Sequence, residues 1–213
     1  MKNLIALFVV ALAATTLAPR SRAAKGSELR PTIAQPGKLI VDEKFAGNAL
    51  GKNWTAAKGD WQVQNGVLIG KEKPSDKHAA VLSLNLPNRN SVVRFSFKFD
   101  GAKSLHLSFN HAKGHLFRVV ISPDSVTITK DKDKKDSQSK PESLGKAQTK
   151  FAAGQWYTML VEIAGPKVAV QTDNGVKLAG SHPGLDMDKT GYRFVTSGES
   201  VAISDLKIWE LAR

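Results

Sequence analysis

The sequence predicts an all-β protein folded as an antiparallel β-sandwich or barrel. After position 38 the apolar residues repeat with a period of two, and turn signals such as Asn-Gly and Asp-Gly separate the apolar runs. A period of two puts one set of side chains on a buried face and the other set outside. No stretch of ten or more residues after position 38 keeps the spacing of a helix. Many short strands joined by regular turns are typical of this fold class.

The alternation is clearest in the second half of the chain. Across 93–99 the odd-numbered residues are apolar and face the predicted core, and the same parity continues across 105–109. Further alternating runs lie at 117–121, 126–128, 157–163 and 168–170. The last predicted strand covers 201–211 and changes phase near Ser204-Asp205, which predicts a β-bulge at that point.

Residues 1–23 have the pattern of a secretory signal peptide. Lys2 forms a positive start, an apolar run covers 4–18, and Ser21-Arg22-Ala23 matches a small-x-small cleavage site. The apolar run is too short for a typical transmembrane helix, although an uncleaved anchor is the alternative. We therefore predict a secreted or periplasmic protein with no membrane span after cleavage.

Two polar segments interrupt the strand pattern. Residues 24–38 contain two prolines and few apolar residues, which predicts a linker ahead of a sandwich domain at 39–213. Within that domain, residues 130–150 contain seven lysines and four acids and almost no apolar residue. This composition cannot bury enough surface to fold alone, so it predicts a long mobile hairpin loop that can include a short strand near Ser143-Leu144.

The composition excludes several classes of function. The 213 residues include no cysteine, which rules out a disulfide framework, a thiolate zinc site and a cysteine nucleophile. The net charge is +12, and cleavage after residue 23 removes three basic residues and no acid, which leaves +9. The lysines are spread along the chain without interleaved aromatics, so we expect no nucleic-acid partner. An acidic polysaccharide partner, or simply a charged surface on a monomer, fits this charge better.

Three segments, taken in order, carry a family resemblance. The first segment is DEKFAGNALGKNWTAAKGDWQVQNGVLIG and includes the Asn65-Gly66 turn. The second, Gly154-Gln155-Trp156-Tyr157, opens a later strand. The third is GYRFVTSGESVAISDLKIWEL, near the end of the chain. This order resembles the concanavalin A-like lectin/glucanase jelly-roll superfamily. More narrowly, it is similar to the 3-keto-disaccharide hydrolase domain family of exported bacterial proteins, which is family 16 glycoside hydrolase-like. The resemblance covers about residues 39–211.

The resemblance implies a two-sheet antiparallel sandwich with one glycan-binding face and, in some members, hydrolysis of keto-disaccharides or other glycosides. This sequence departs from the hydrolase pattern, because it has no carboxylate from Ala102 to Pro123 and no Glu-x-Asp-x-Glu run. Two functions therefore stay open. One is a glycan hydrolase, and the other is a non-catalytic carbohydrate-binding or cell-envelope interaction module.

The candidates for acid–base chemistry are few. Glu162 would point away from the core, and His106 lies on the outward side of its predicted strand. His106, His111 and His115 are the densest group of possible metal ligands, but their spacing matches no metal motif and fits solvent-exposed histidines better. We therefore predict no metal and no cofactor.

The most promising surface is a row of outward polar residues on the central strands. If these strands are neighbours, the row could hydrogen-bond sugar hydroxyls or carboxylates, whereas the alternative is the ordinary solvated side of a half-buried sheet. The predicted ligand-binding residues are Arg94, Lys98, His106, Ser108, Asn110 and Arg118. The four tryptophans are interpreted as packing residues of the sandwich rather than as sugar platforms.

Overall fold

The computed structural model describes residues 28–212, so the predicted signal peptide at 1–23 lies outside the described residues. Two short 3₁₀ turns, Pro74–Asp76 and Pro183–Leu185, accompany the strands. The strands are β1 Pro36–Glu43, β2 Trp54–Lys58, β3 Asp60–Gln64, β4 Val67–Lys71, β5 Ala80–Leu84, β6 Ser91–His111, β7 Gly114–Ser122, β8 Ser125–Lys130, β9 Glu142–Gln148, β10 Tyr157–Ala164, β11 Lys167–Thr172, β12 Lys177–Ser181 and β13 Gly191–Leu211. In residues 28–212 no helix has the length and hydrophobicity that crossing a bilayer requires.

Two long antiparallel strands, β6 and β13, belong to both layers of a sandwich. The first half of β6 pairs with β10 and with the second half of β13. These strands belong to sheet I, which has the order β12-β11-β10-β6-β13-β4-β3, with β1 also paired to β13. The second half of β6 pairs with β7 and with the first half of β13. Sheet II therefore has the order β9-β8-β7-β6-β13-β5-β2.

Both long strands change direction at a glycine. Gly101 on β6 has φ 91° and Gly198 on β13 has φ 90°, which are conformations that side chains disfavour. The β6–β13 register shifts between Ser197 and Gly198, as it does where a strand passes from one sheet to the next. A Cβ at Gly198 would lie 2.8 Å from the backbone nitrogen of Lys103, so the close approach of the two bends also needs glycine.

The core lies between the two sheets and confirms the predicted alternation. The inward residues of both halves of β6 are buried in one cluster, from Val93 to Phe109. Phe95 of sheet I meets Phe194 of sheet II with ring centroids 5.5 Å apart, a contact across the sandwich. The predicted bulge in β13 is also present: the register shifts between Ser204 and Lys207, and Asp205 has φ 50°.

Two segments predicted as irregular are more ordered than expected. From residue 28 the predicted linker is packed on the sandwich, and β1 begins inside it at Pro36 and pairs with β13. The lysine-rich segment contains all of β9, which pairs with β8 and contacts β12. The short strand expected near Ser143-Leu144 is therefore present and extends to Gln148. Main-chain hydrogen bonds to β8 order it, and Leu144 and Ala147 pack against the core.

Candidate functional site

A row of polar residues crosses the whole outer face of sheet II. Each member lies opposite the next one in the register of the paired strands. Because neighbouring strands lie about 4.8 Å apart, a row across the strands of sheet II extends roughly 29 Å. The members of this polar row are Thr55, Ser83, Arg193, Ser108, Arg118, Thr129 and Ser143. The row therefore offers hydroxyls and guanidinium groups and contains no carboxylate.

Two arginines flank Ser108 at the centre of the polar row, and only one is neutralised. Arg118 is paired with Asp131, whose side chain is only 6% exposed. Burial lowers the pKa of the Arg118 guanidinium. Burial also lowers the pKa of Arg193, and the charge of Arg118 lowers it further. Within residues 28–212 no carboxylate forms an ion pair with Arg193.

A shallow cavity of about 290 Å³ lies at one end of this face, beside Arg193. Ser83 of the polar row and Asn110 of β6 line it, together with Asn85 and Thr190. The amide of Asn85 donates to Thr55 Oγ1 at 2.9 Å, which ties this wall to the end of the polar row. The cavity is therefore walled mainly by groups that hydrogen-bond to hydroxyls.

A second row runs beside the polar row and is mostly apolar. Val81, Val195, His106 and Val120 face one another across β5, β13, β6 and β7, and we call them the valine row. Burial, with a smaller contribution from the charge of Arg118, lowers the pKa of His106 to about 4. His106 is therefore neutral at pH 7 and can both donate and accept a hydrogen bond.

The structure divides the predicted ligand-binding residues between two opposite faces. His106, Ser108, Asn110 and Arg118 share the outer face of sheet II. Arg94 and Lys98 precede the bend in β6, so they lie on the outer face of sheet I. The two groups have the same parity on one strand, but that strand passes from one sheet to the other between them.

Lys98 has local partners on the face of sheet I. Its Nζ lies 2.9 Å from Asp100 Oδ2 and 5.7 Å from the ring centroid of Trp156. Trp156 is 43% exposed, which sets it apart from the packing role predicted for the tryptophans. Trp54, by contrast, contacts Phe45 and Phe194 at the edge of the core.

Glu162, the carboxylate considered for catalysis, is occupied by the chain's own backbone. It does point away from the core, but it is only 1% exposed. Its Oε2 accepts hydrogen bonds from the backbone nitrogens of Thr32, Ile33 and Ala34 at 2.7, 2.8 and 3.0 Å. The Thr32 hydroxyl donates to Oε1 at 3.0 Å. Glu162 thus anchors residues 28–35, the N-terminal arm, to sheet I.

The three histidines do not form a metal cluster. His115 lies with Nδ1 2.9 Å from Asn110 Oδ1, whereas His106 lies in the valine row. Among the residues that the structure describes, no group of three or more His, Cys, Asp or Glu side chains could hold a metal ion.

Sequence reasoning missed three important members of this face. Arg193 lies between the buried residues Tyr192 and Phe194, so alternation along β13 could have identified it as outward. Ser83 carries the same signal on β5. Asp131 carried no signal, because it lies in the segment predicted as a loop and its partner Arg118 is on another strand.

Solved structures with a similar fold are mainly carbohydrate-active proteins. Porphyranase B from Zobellia galactanivorans aligns with a TM-score of 0.62 at 10% identity, over 83% of this chain and 93% of that one. The carbohydrate-binding module CBM66 from Bacillus subtilis aligns at 0.58 and 11% identity, over 74% of this chain and 96% of the module. The fold is a concanavalin-like jelly roll. A galectin-like protein of unknown function from Bacillus subtilis aligns at 0.62 and 10% identity, over 84% of this chain and 99% of that one.

The jelly roll is identified by structure alone. No family model matches the chain, and no curated protein matches its sequence. The narrower resemblance to the 3-keto-disaccharide hydrolase family therefore stays a prediction. At identities of 10–11% the three structures show how this chain folds and leave its chemistry to be argued from its own residues.

Proposed function

We propose that this jelly roll is an exported module that binds glycans on the outer face of sheet II without cleaving them. The observation that carries the proposal is the polar row beside the valine row. Sugar rings have hydroxyl edges and apolar C–H faces. A glycan lying along these rows could hydrogen-bond to the polar row and pack against Val120 and Val195, the half-buried valines of the valine row. Export rests on the predicted signal peptide at 1–23.

The fold of the neighbours supports a glycan ligand. One of them is a carbohydrate-binding module and another is a porphyranase. Because this fold hosts both binders and hydrolases, the residues on the face must decide between the two.

Those residues favour binding over hydrolysis. Glycosidases normally place two carboxyl groups across the scissile bond. The polar and valine rows contain none, and Asp131, which reaches the polar row, is buried against Arg118. Glu162 lies on the opposite sheet beneath the N-terminal arm. We therefore propose a binding module rather than an enzyme.

A glycan panel with purified full-length protein tests the proposal. Ser83→Val removes a hydroxyl of the polar row at the cavity, and Ser96→Val is its matched control on the outer face of sheet I. One hydrogen bond contributes about 1 kcal/mol, so we expect Ser83→Val to weaken binding of the best glycan about fivefold. Ser96→Val should leave that affinity unchanged.

Three results would contradict the proposal. The first is no binding anywhere in a broad panel. The second is equal weakening by the two valine variants, which would show that the polar row is not the binding surface. The third is release of shorter sugars from a bound oligosaccharide, measured by chromatography after long incubation, which would show an enzyme.

A further inference from the structure

Arg193 is a half-buried cation, and within residues 28–212 its one side-chain hydrogen-bond contact is to a nitrogen of His115 that cannot accept. Nδ1 of His115 lies 2.9 Å from Asn110 Oδ1 and 3.4 Å from Nη1 of Arg193. We assign the imidazole proton to Nδ1, because the shorter contact joins that nitrogen to the carbonyl oxygen of Asn110. A protonated Nδ1 has no lone pair for Arg193. Across residues 28–212 the Arg193 side chain therefore has no good acceptor.

Three of the other four arginines in residues 28–212 are paired with carboxylates. Arg89 donates to Asp186 at 2.9 Å, Arg30 donates to Glu28 at 2.7 Å, and Arg118 is paired with Asp131. Arg94 has no carboxylate partner either, but it lies on the outer face of sheet I between Leu160 and Lys207. Arg193 instead lies on sheet II, where it lines the cavity beside Ser83.

The surroundings of Arg193 carry a positive field. Burial lowers the pKa of His115, and the charges of Arg193, Lys134 and Arg118 lower it further. Arg193 and Arg118 lie on the two strands that flank Ser108, one on each side of it. Because Asp131 neutralises Arg118, Arg193 is the guanidinium of this pair without a counter-charge, and its partial burial favours an anion that compensates it.

We propose that the glycan bound on this face is acidic, and that Arg193 binds its oxyanion, a uronate carboxylate or a sulfate ester. This inference rests on the proposed function. The guanidinium fork matches the spacing of carboxylate and sulfate oxygens and binds them with two parallel hydrogen bonds. In the adjacent cavity Ser83, Asn85 and Asn110 provide groups that can bind the hydroxyls of the same sugar.

The test compares matched acidic and neutral oligosaccharides on the full-length protein. The acidic ligands are oligogalacturonate and a sulfated galactan oligosaccharide. Their neutral counterparts are the methyl-esterified oligogalacturonate and the desulfated galactan oligosaccharide. We expect one acidic ligand to bind at least tenfold more tightly than its neutral form at low salt, and we expect this preference to fall as the salt concentration rises. The acidic ligand that binds more tightly identifies carboxylate or sulfate as the anion that the site recognises.

Three variants locate the site. Arg193→Gln should reduce affinity for the acidic ligand at least tenfold while leaving affinity for its neutral form within twofold. Arg193→Lys keeps the charge but loses the fork, so we expect a smaller loss of a few-fold. Arg94→Gln removes the same charge from the opposite face and should change affinity less than twofold. Thermal melts of each variant confirm that it folds.

The outcomes separate this inference from the proposed function. If acidic and neutral forms bind equally and Ser83→Val still weakens both, the acidic ligand is wrong and the glycan-binding face stands. If Arg94→Gln reduces acidic binding as much as Arg193→Gln, the attraction is general charge and the Arg193 site is wrong. If no oligosaccharide binds at all, both proposals are overturned.

Discussion

The two outer faces of this sandwich come from the same strand and have different environments. On β6, Ser96 and Ser108 share parity and both point outward, yet Ser96 belongs to sheet I and Ser108 to sheet II. Part of the sheet I face is covered by the N-terminal arm, whereas sheet II presents the polar row. The comparison shows that alternation predicts inside against outside but does not predict which outside surface a residue joins.

The covering of sheet I depends on one buried acid and one amide. Glu162 accepts three backbone N–H groups of the N-terminal arm, and Gln171 Nε2 donates to the carbonyl of Arg30 at 2.6 Å. A charged acceptor that binds several donors is among the stronger polar interactions of a protein. On sheet II the corresponding charged groups are arginines, and within residues 28–212 one of them, Arg193, has no carboxylate partner.

The largest effect that separates the faces is expected from Glu162→Ala. The substitution leaves the part-buried donors of the arm without their charged acceptor, so we expect the free energy of unfolding to fall by about 2 kcal/mol. The arm at 28–35 should also become sensitive to proteolysis, while glycan affinity stays unchanged. Urea unfolding and limited proteolysis measure both effects.

Glu210→Ala, at an exposed position of β13, is the matched control and should be close to neutral. A loss of glycan binding in Glu162→Ala with normal stability would contradict the division between the faces. That result would indicate that Glu162 takes part in glycan binding.

A smaller effect is expected from His106 on the face of sheet II. The pKa of His106 is about 4 in the folded protein against an unfolded value near 6.5. Between these values the unfolded chain binds more protons, so stability is complete above about pH 6.5 and is lost as the pH falls toward 4. Allowing for partial exposure, we expect His106 to account for about 2 kcal/mol of that loss.

His106→Asn should reduce the loss of unfolding free energy between pH 7 and pH 4.5, as measured by urea unfolding at the two pH values. His78→Asn, at an exposed histidine, should leave the slope in place. An unchanged slope in His106→Asn would show that the imidazole is better solvated than its place in the valine row implies.

The smallest effect is expected at the tip of the lysine-rich segment. The backbone nitrogen of Asp133 lies 2.8 Å from Ser139 Oγ, so deletion of residues 134–138 joins two residues that already touch. We expect the free energy of unfolding to change by less than about 0.5 kcal/mol, since a shorter loop costs little to close. Deletion of 142–148, which removes β9, should instead cause a large loss. Similar melting temperatures for the two deletions would contradict the assignment of β9 to sheet II.

Alternation identified most of the site, although not its boundaries. It placed His106, Ser108, Asn110 and Arg118 outside the core, and these residues do lie together on sheet II. The same pattern on 201–211 located the bulge at Asp205. It could not pair Arg118 with Asp131 or recognise Arg193 as the second guanidinium, because those relations join residues far apart in sequence.

The sequence by itself determined the all-β class, the core side of each main strand and the shortage of acids on the central strands. These properties are local, because a strand's period of two is written in neighbouring residues. Only the tertiary structure decided that Arg94 and Arg118 face opposite ways and that Glu162 anchors the arm. It also decided that Arg193 lines a cavity and, within residues 28–212, has no carboxylate partner. The bends at Gly101 and Gly198 and the register between distant strands cause these placements, and no short-range pattern records them.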